Sequence, residues 1–251
     1  MPNQLNGTEL SAEEFRDSLR IRFGLTPQDL PTHCDGCSAD FSVDHAMSCK
    51  KGGLILVRHN AVVAEWHHLC AAALQPSVVT DEPLIHNCRQ TNREAGASSN
   101  QPIEDELRGD IAVHGFWHKQ KTAIFDVRIT DTDCRSNRHT EPHKILARQE
   151  KEKKQKYLDP CLERRRTFTP LVFSVDGLRG KECAAASRRL ALLLSKKWSK
   201  TYSQVCGFVR SRLAISLVRA ASMCLRGTRD PTAKATHPIW ETGHGLGLYS
   251  H

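Results

Sequence analysis

The sequence predicts an α/β (α+β) fold in which the central part of the chain runs helix, three strands, helix, strand. An apolar run that stops at Pro76 favours the first helix, and a long charged run of strong helix formers favours the second. Stretches rich in β-branched and apolar residues favour the strands. The helix candidates are residues 54–74 and 141–158, and the strand candidates are residues 77–85, 110–116, 122–129 and 169–175.

Further helices are expected on both sides of this central part. Ser11 and Glu14 have the spacing of a capping box at the start of an amphipathic helix over residues 10–24. The apolar stripe of that helix consists of Leu10, Phe15, Leu19 and Phe23. Two helices rich in basic residues are expected at 181–198 and 203–225, where the recurring apolar residues favour burial in a core. Residues 87–105 are expected to form an exposed or disordered loop, and the tail from Thr228 is expected to be loose.

Composition and charge indicate an intracellular protein with a polyanionic partner. The 251 residues carry a net charge of +8, and residues 178–229 contain twelve Lys or Arg against one acid, Glu182. A surface of one sign suits a phosphate backbone, so we expect DNA, and RNA as a second candidate, in the nucleus. The chain contains no apolar stretch of about 18 residues, which argues against a membrane span. Its polar start argues against a secretory signal, so the ten cysteines are expected to be reduced.

Four residues near the N-terminus have the spacing of a zinc site. They form the pattern C-x2-C-x7-H-x3-C and are Cys34, Cys37, His45 and Cys49. A C-x2-C turn supplies two thiolates from one tight loop, and a short helix at residues 44–48 supplies the second pair. We therefore expect a structural Zn²⁺ held in a zinc knuckle. His33 is an alternative ligand that lacks the usual spacing.

Two aspartates in the strand candidates have the properties of ligands for a catalytic cation. Asp110 opens one strand candidate and Asp126 lies within the next, each beside apolar residues. In an antiparallel hairpin they can converge on one Mg²⁺, which takes hard carboxylate oxygens and often needs only one or two from the protein. Phosphodiester hydrolysis needs such an ion. The alternative is that the two acids form structural salt bridges with Arg108 or Arg128.

These motifs together resemble a known class of nuclease. Arg108-Gly109-Asp110 and Ile124-Phe125-Asp126-Val127-Arg128, in this order of elements, look like the PD-(D/E)xK core of restriction-endonuclease-like enzymes. The succession of the zinc knuckle, Arg58-His59-Asn60, the two aspartates and Lys-x-x-Lys-Tyr resembles the C-terminal region of LINE-type non-LTR retrotransposon reverse transcriptase polyproteins. The resemblance covers roughly residues 10–157. It implies a DNA nickase that lacks the reverse transcriptase part. In an intact element, the cut made by such a nickase would expose the 3′ hydroxyl that primes reverse transcription.

The resemblance also implies where the catalytic lysine lies. A standard core has Lys two residues after the second acid, but that position is Arg128, which stays protonated and cannot serve as a base. In the retrotransposon branch the lysine resembles one that has moved to the next helix, within Lys153-Lys154-Gln155-Lys156-Tyr157. This points to Lys153 as the residue that orients water or stabilises the transition state, although most neighbouring lysines must be surface charge. Glu65 is either a third acid of the site or a solvated helical residue, and His59 is assigned no chemistry.

Three functions remain open on the sequence. The first is a Mg²⁺-dependent endonuclease in which Asp110 and Asp126 hold the cation and Lys153 assists. The second is a catalytically inactive relic that binds zinc and nucleic acid, and the third is a structural domain whose acids pair with arginines. The expected domains are an N-terminal helix and linker (1–30), the zinc knuckle (31–52), the endonuclease core (53–176), a basic helical region (177–228) and a tail (229–251).

Overall fold

A mixed four-stranded sheet lies at the centre of the part of the chain that the computed structural model describes, residues 7–86 and 106–230. The predicted loop at 87–105 and most of the tail fall outside these ranges. The helices are α1 (Ala12–Arg22), α2 (Val43–Ser48), α3 (Leu54–Ala73), α4 (Pro142–Glu163), α5 (Lys181–Trp198) and α6 (Tyr202–Arg226). The strands are β1 (Val79–Asp81), β2 (Leu84–His86), β3 (Leu107–Arg108), β4 (Ile111–His114), β5 (Thr122–Thr130) and β6 (Thr167–Ser174). The predicted mixed α/β architecture is confirmed.

The sheet has the order β1-β4-β5-β6. Strands β1 and β4 each pair antiparallel with their neighbours, and Ile111 lies opposite Phe125. Strands β5 and β6 are parallel, with Asp126 beside Pro170. A parallel pair needs a crossover, which α4 provides between them. This connection carries α4 back over the sheet next to β5.

The predicted single strand at 77–85 is wrong, because the chain turns twice within it. Residues Pro76–Val78 form a 3-10 turn, and β1 ends at Asp81. Glu82 has a φ of 46°, and Pro83, which lacks a backbone N–H, follows it. The strand then continues as β2, which pairs with β3 in a separate two-stranded sheet. Two local backbone restrictions thus divide an apolar run into two short strands.

The core lies between one face of the sheet and the helices α3, α5 and α6. Trp66 is fully buried, with its ring 5.6 Å from that of Phe125 and 6.4 Å from that of Phe116. The C-terminal helices contribute buried apolar residues at helical spacing, as predicted: Leu190, Leu194, Val209, Leu213 and Leu217. The apolar residues of both helices therefore belong to the core, while basic residues such as Arg188 and Arg210 are exposed.

Helix α1 has the predicted capping box but buries an unexpected face. Ser11 Oγ accepts from Glu14 N (3.1 Å), and Glu14 Oε2 accepts from Ser11 N (2.7 Å). The apolar stripe is largely in solvent, with Phe15 53% and Phe23 73% exposed. Asp17 is the buried residue, since Arg226 on α6 donates to both of its oxygens at 2.8 and 2.9 Å. An ion pair, rather than the apolar stripe, attaches this helix.

The residues that follow α6 are fixed, so the prediction of a loose tail from Thr228 is wrong for its first three residues. Thr228 donates to Asp35 at 2.6 Å, and the side chain of Arg229 is buried. Arg229 donates to the backbone oxygens of Ala46 (3.1 Å) and Cys224 (2.6 Å). The end of α6 is thereby attached to the segment that contains the four Cys and His residues.

No helix within 7–86 or 106–230 is long and apolar enough to cross a membrane.

Candidate metal centre and acidic site

Cys34, Cys37, His45 and Cys49 lie together as predicted, with their ligand atoms all within 4.8 Å of one another. The Sγ atoms of Cys34 and Cys37 each lie 3.9 Å from that of Cys49, and His45 Nε2 lies 3.4 Å from Cys37 Sγ. Thiolates that share a tetrahedral ion at about 2.3 Å have similar separations. Helix α2, capped by Ser42, supplies His45, and Cys49 follows directly after it. The group can therefore hold a metal ion.

The surroundings of Cys34 favour its ionised form. Burial acts to raise its pKa, but hydrogen bonds from the Gly36 backbone and His45 outweigh burial and lower it to about 6. A thiolate is the form that binds a metal ion. The alternative ligand His33 is not part of the group, since its ring lies 3.6 Å from Asp40 and is largely exposed.

Arg229 holds this Cys/His segment against the rest of the protein. A Cβ at Gly36 would lie 2.7 Å from Arg229 Cβ, and a Cβ at Gly52 would lie 2.5 Å from Arg229 Cα. Asp35 accepts from the backbone N–H of Arg229 at 2.7 Å. Both glycines are thus required by the close approach of one buried arginine.

Asp110 lies in the bend immediately before β4, where its carboxylate is held on both sides. Oδ2 accepts from the backbone N–H of Val127 at 2.5 Å, and Oδ1 lies 3.2 Å from His59 Nε2. The preceding Gly109 allows the bend to approach β5, since a Cβ there would lie 2.6 Å from Ile124 Cγ2. The carboxylate is thus directed towards the position on β5 where Asp126 lies.

Asp126 is buried in the middle of β5, with only 4% of its surface exposed. Burial and the neighbouring charge of Asp110 raise its pKa, while the ammonium of Lys153 acts in the opposite direction. The charge of Asp110 therefore lies close enough to Asp126 to disfavour the ionised form of the Asp126 carboxyl. Such like-charge crowding is characteristic of carboxylates that share a site.

Lys153 reaches this pair from α4 and forms an ion pair with Asp126 Oδ2. Its ammonium also lies 5.6 Å from the centre of the Tyr157 ring, one turn further along the helix. Tyr157 is buried and hydrogen bonded to Asp126, and its pKa is raised by burial and by that carboxylate. Lys151 and Lys156 are exposed on the same helix. Of Lys151, Lys153 and Lys156, the residue at the acidic site is Lys153, which is the lysine that the resemblance indicates.

The arginines that offered a structural explanation for the acids have other partners. Arg128 Nη1 lies 3.0 Å from Glu152, and Arg108 Nη2 lies 2.7 Å from Glu106. The hypothesis that Asp110 and Asp126 pair with Arg108 or Arg128 is therefore wrong.

Glu65 is neither solvated nor free to join the acids. It is buried on α3, and Arg212 of α6 donates to both of its oxygens at 2.7 and 2.8 Å. Within the described ranges, the Cys/His group is the only cluster of three or more potential ligand side chains close enough to share an ion. The acidic site thus offers two carboxylates, which is enough for a cation that keeps most of its water.

His59 lies at the acidic site, although it was assigned no chemistry from the sequence. It lies beside Asp110 and lines an open groove of about 270 Å³ together with Arg58, Arg128 and Lys153. Four cationic or imidazole side chains therefore border the space next to the acids. The one available signal was the Arg58-His59-Asn60 motif, because no local pattern reveals a contact between α3 and the start of β4.

Comparisons with known protein families and with curated proteins give no match to this chain. Its function is therefore inferred from the motifs and from the geometry of the two sites.

Proposed function

We propose that the chain is a divalent-metal-dependent DNA endonuclease, a nickase with a restriction-endonuclease-like core, similar to the C-terminal region of LINE-type retrotransposon polyproteins. The observation that carries the proposal is the convergence of Asp110, Asp126 and Lys153. They come from the start of β4, the middle of β5 and the helix α4. Only tertiary folding brings these three residue types together, and they are the ones that metal-assisted phosphodiester hydrolysis requires.

In this proposal the chain's own residues hold and orient the reacting groups. Asp110 and Asp126 would together hold a Mg²⁺ ion. The Val127 backbone and His59 fix the position of the Asp110 carboxylate. When bound, the ion would neutralise charge on the scissile phosphate and acidify water. Lys153, held by Asp126, places an ammonium beside that phosphate. Arg128 borders the groove and is suited to contact a neighbouring phosphate.

The crowding of the acids supports a cation at this position. Burial and mutual repulsion raise the pKa of Asp126 although Lys153 lies against it. A divalent ion between the carboxylates would relieve that repulsion, as cations do in acidic sites. At the Cys/His group, three sulfur ligands and one imidazole favour Zn²⁺ over harder ions. Its role there would be structural, because no ligand position is left for water.

The proposed partner is DNA, reached in the nucleus. The net charge of +8 and the basic helices α5 and α6 support a phosphate backbone as ligand. A second candidate function, binding of nucleic acid without cleavage, is favoured by one observation. Asp110 and Asp126 both have protein partners already, namely His59, the Val127 backbone and Lys153, so the site is held together without a metal.

Nicking of supercoiled plasmid in Mg²⁺ tests the proposal and separates the two candidates. We expect Asp110→Ala and Asp126→Ala each to reduce nicking by about 10³-fold, because metal-assisted catalysis supplies several kcal/mol. Lys153→Met should reduce nicking strongly, whereas Lys151→Met, an exposed lysine on the same helix, should not.

Three outcomes would count against this function. Equal nicking by the wild type and both aspartate variants would remove the acidic site from the reaction. DNA binding without any nicking would select the second candidate. Equal effects at Lys153 and Lys151 would show that α4 contributes only surface charge.

A further inference from the structure

The turn between α5 and α6 carries two exposed aromatic rings. Trp198 is the last residue of α5 and Tyr202 the first of α6, and they are 38% and 43% exposed. By contrast, Trp66 is buried in the core and Trp117 donates to Thr169 at 3.0 Å. More than a third of the surface of each of these two residues is therefore accessible to a ligand.

The backbone of this turn holds both rings in place. Ser199 has a φ of 52°, and Lys200 N donates to Ser195 O at 3.1 Å, which closes α5 tightly. The ring of Trp198 stands edge-on to that of Phe208, with centroids 5.4 Å apart. Lys197 ties the turn to the end of α3 by donating to Leu74 O at 2.8 Å. A ligand would therefore meet a preorganised surface and would lose little binding energy in ordering it.

Positive charge surrounds the rings. Lys196 and Lys200 are exposed in the turn itself. Arg188 and Arg210 are exposed on the two helices and, with Arg179, line a groove between α5 and α6 that contains no acidic residue. The hydrogen bond with Cys206 raises the pKa of Tyr202, and the charges of Arg188 and Arg210 act in the opposite direction. Within the described ranges, none of these five cations forms an ion pair with a carboxylate.

We propose that this aromatic turn (residues 196–203, with Arg188 and Arg210) binds single-stranded nucleic acid. An unpaired base would stack on Trp198 or Tyr202, while the flanking phosphates contact the arginines and lysines. Alternating π faces and cations on one surface suit a flexible strand, because every base has a face to stack and each phosphate needs a charge. Duplex DNA keeps its bases stacked inside, so it would gain from the cations alone. This binding site goes beyond the proposed nuclease activity and does not depend on it.

Fluorescence anisotropy with labelled 20-mers of thymidylate and of uridylate, and with a 20-base-pair duplex, tests the proposal. The zinc-loaded chain of 251 residues is titrated without Mg²⁺, so that no cleavage occurs. Trp198→Leu keeps an apolar contact with Phe208 but removes the flat ring, and should weaken binding of the single strands by about tenfold. Trp198→Phe should retain most of the affinity. Duplex binding should change by less than about twofold in both variants, since paired bases do not stack on the turn.

Salt titration measures the contribution of the cations. Replacing Arg188 and Arg210 by Ala should make the slope of log K against log salt for the single strand less negative by about 1.4. Each phosphate contact contributes about −0.7 to this slope. Phe23→Leu, which alters an exposed aromatic residue on α1, is the matched control and should change nothing. Tighter binding of either the thymidylate or the uridylate strand supports the site and identifies the preferred strand.

The proposal is overturned if Trp198→Leu and Phe23→Leu bind the single strands equally well, or if Trp198→Leu weakens duplex and single-strand binding alike. Retention of the thermal transition in each variant distinguishes a lost contact from a lost fold. A protein that nicks DNA but shows no Trp198-dependent binding would refute this site alone. A protein that binds single strands through Trp198 but never nicks would refute only the nuclease.

Discussion

The Cys/His group takes all four of its ligands from residues 34–49, whereas the acidic site is assembled from α3, the bend before β4, the middle of β5 and α4. The first can form as soon as one short segment closes around an ion. The second exists only when the sheet and two helices have packed. The two sites therefore depend on different contributions to the folding free energy. The Cys/His group depends on the binding of a metal ion, and the acidic site depends on core packing.

The contact made by Arg229 limits this separation. The ligands of the Cys/His group are local, but its backbone lies against a buried arginine that follows the last described helix. The group is therefore locally assembled but attached to the core at one point. Substitutions in each region can therefore test how far the Cys/His group and the core are independent.

Loss of a metal ligand should have the largest effect, and that effect should be confined to one region. Cys37→Ser should weaken the metal affinity by more than about 100-fold, because even the loss of an outer hydrogen-bonding partner of a ligand costs 10–100-fold. Residues 31–52 should lose their protection from proteolysis, while the main thermal transition persists. Metal stoichiometry by native mass spectrometry and limited proteolysis measure both effects. Cys134→Ser, outside the group, is the control, and an unchanged metal content in Cys37→Ser would refute the assignment.

Removal of the buried ion pair between α3 and α6 should destabilise the core and the acidic site while leaving the Cys/His group unchanged. Glu65→Ala removes the carboxylate that accepts two hydrogen bonds from the Arg212 guanidinium and should lower the free energy of unfolding by about 3–5 kcal/mol. Because α3 also carries His59, the acidic site should be lost at lower temperature. Metal content at 25 °C should stay unchanged, since the ligands do not involve α3.

The matched control for that ion pair is Glu152→Ala, which removes the exposed partner of Arg128 and should cost less than about 1 kcal/mol. Urea unfolding of both variants measures the contrast. Similar losses in the two would mean that the buried pair contributes no more than a surface pair.

Truncation of Arg229 should affect both regions moderately. Arg229→Ala leaves the backbone oxygens of Ala46 and Cys224 without their donor and should cost about 1–3 kcal/mol. It should also weaken metal affinity, because the segment that bears the ligands loses its support. Urea unfolding and a competitive chelator titration measure the two effects, with the exposed Arg138→Ala as control. A normal metal affinity in Arg229→Ala would show that the Cys/His group is independent of the core.

The sequence was informative where the determinants are local. The ligand spacing, the Ser11 capping box and the order of helices and strands around the sheet all follow from patterns a few residues long. It was uninformative where the determinant is a distant contact. The Arg212 partner of Glu65 lies in another helix, and the position of His59 beside Asp110 depends on packing between α3 and the sheet.

The choice of one lysine among several illustrates the same limit. Composition marks the middle of α4 as a basic helix, but only the resemblance pointed to Lys153. The structure gives the physical reason, since the residue four positions later, Tyr157, faces the same side and is buried next to Asp126. Lys151 and Lys156 lie on the exposed side of the helix. Charge alone does not distinguish these sides of the helix, because both contain charged residues.

The smallest predicted effect concerns the pH dependence of stability at the acidic site. Burial and the charge of Asp110 raise the pKa of Asp126, so the folded protein binds this proton more tightly than the unfolded chain does. Stability from this group is therefore fully present below the ordinary aspartate pKa of about 3.9 and is lost as the pH rises through the raised value. At neutral pH the charged carboxylate is a net cost, which Asp126→Asn removes.

Asp126→Asn should consequently melt slightly higher than the wild type at pH 7 while losing its nicking activity, and the difference in Tm should shrink as the pH is lowered towards 4. Calorimetry across this range measures the trend, with the exposed Asp40→Asn as a control that should show no such dependence. A variant less stable than the wild type at neutral pH would contradict the prediction, since it would mean that the ion pair with Lys153 outweighs burial and the repulsion from Asp110. The acidic site would then be a source of folding stability, and the contrast with the Cys/His group would be weaker than the geometry implies.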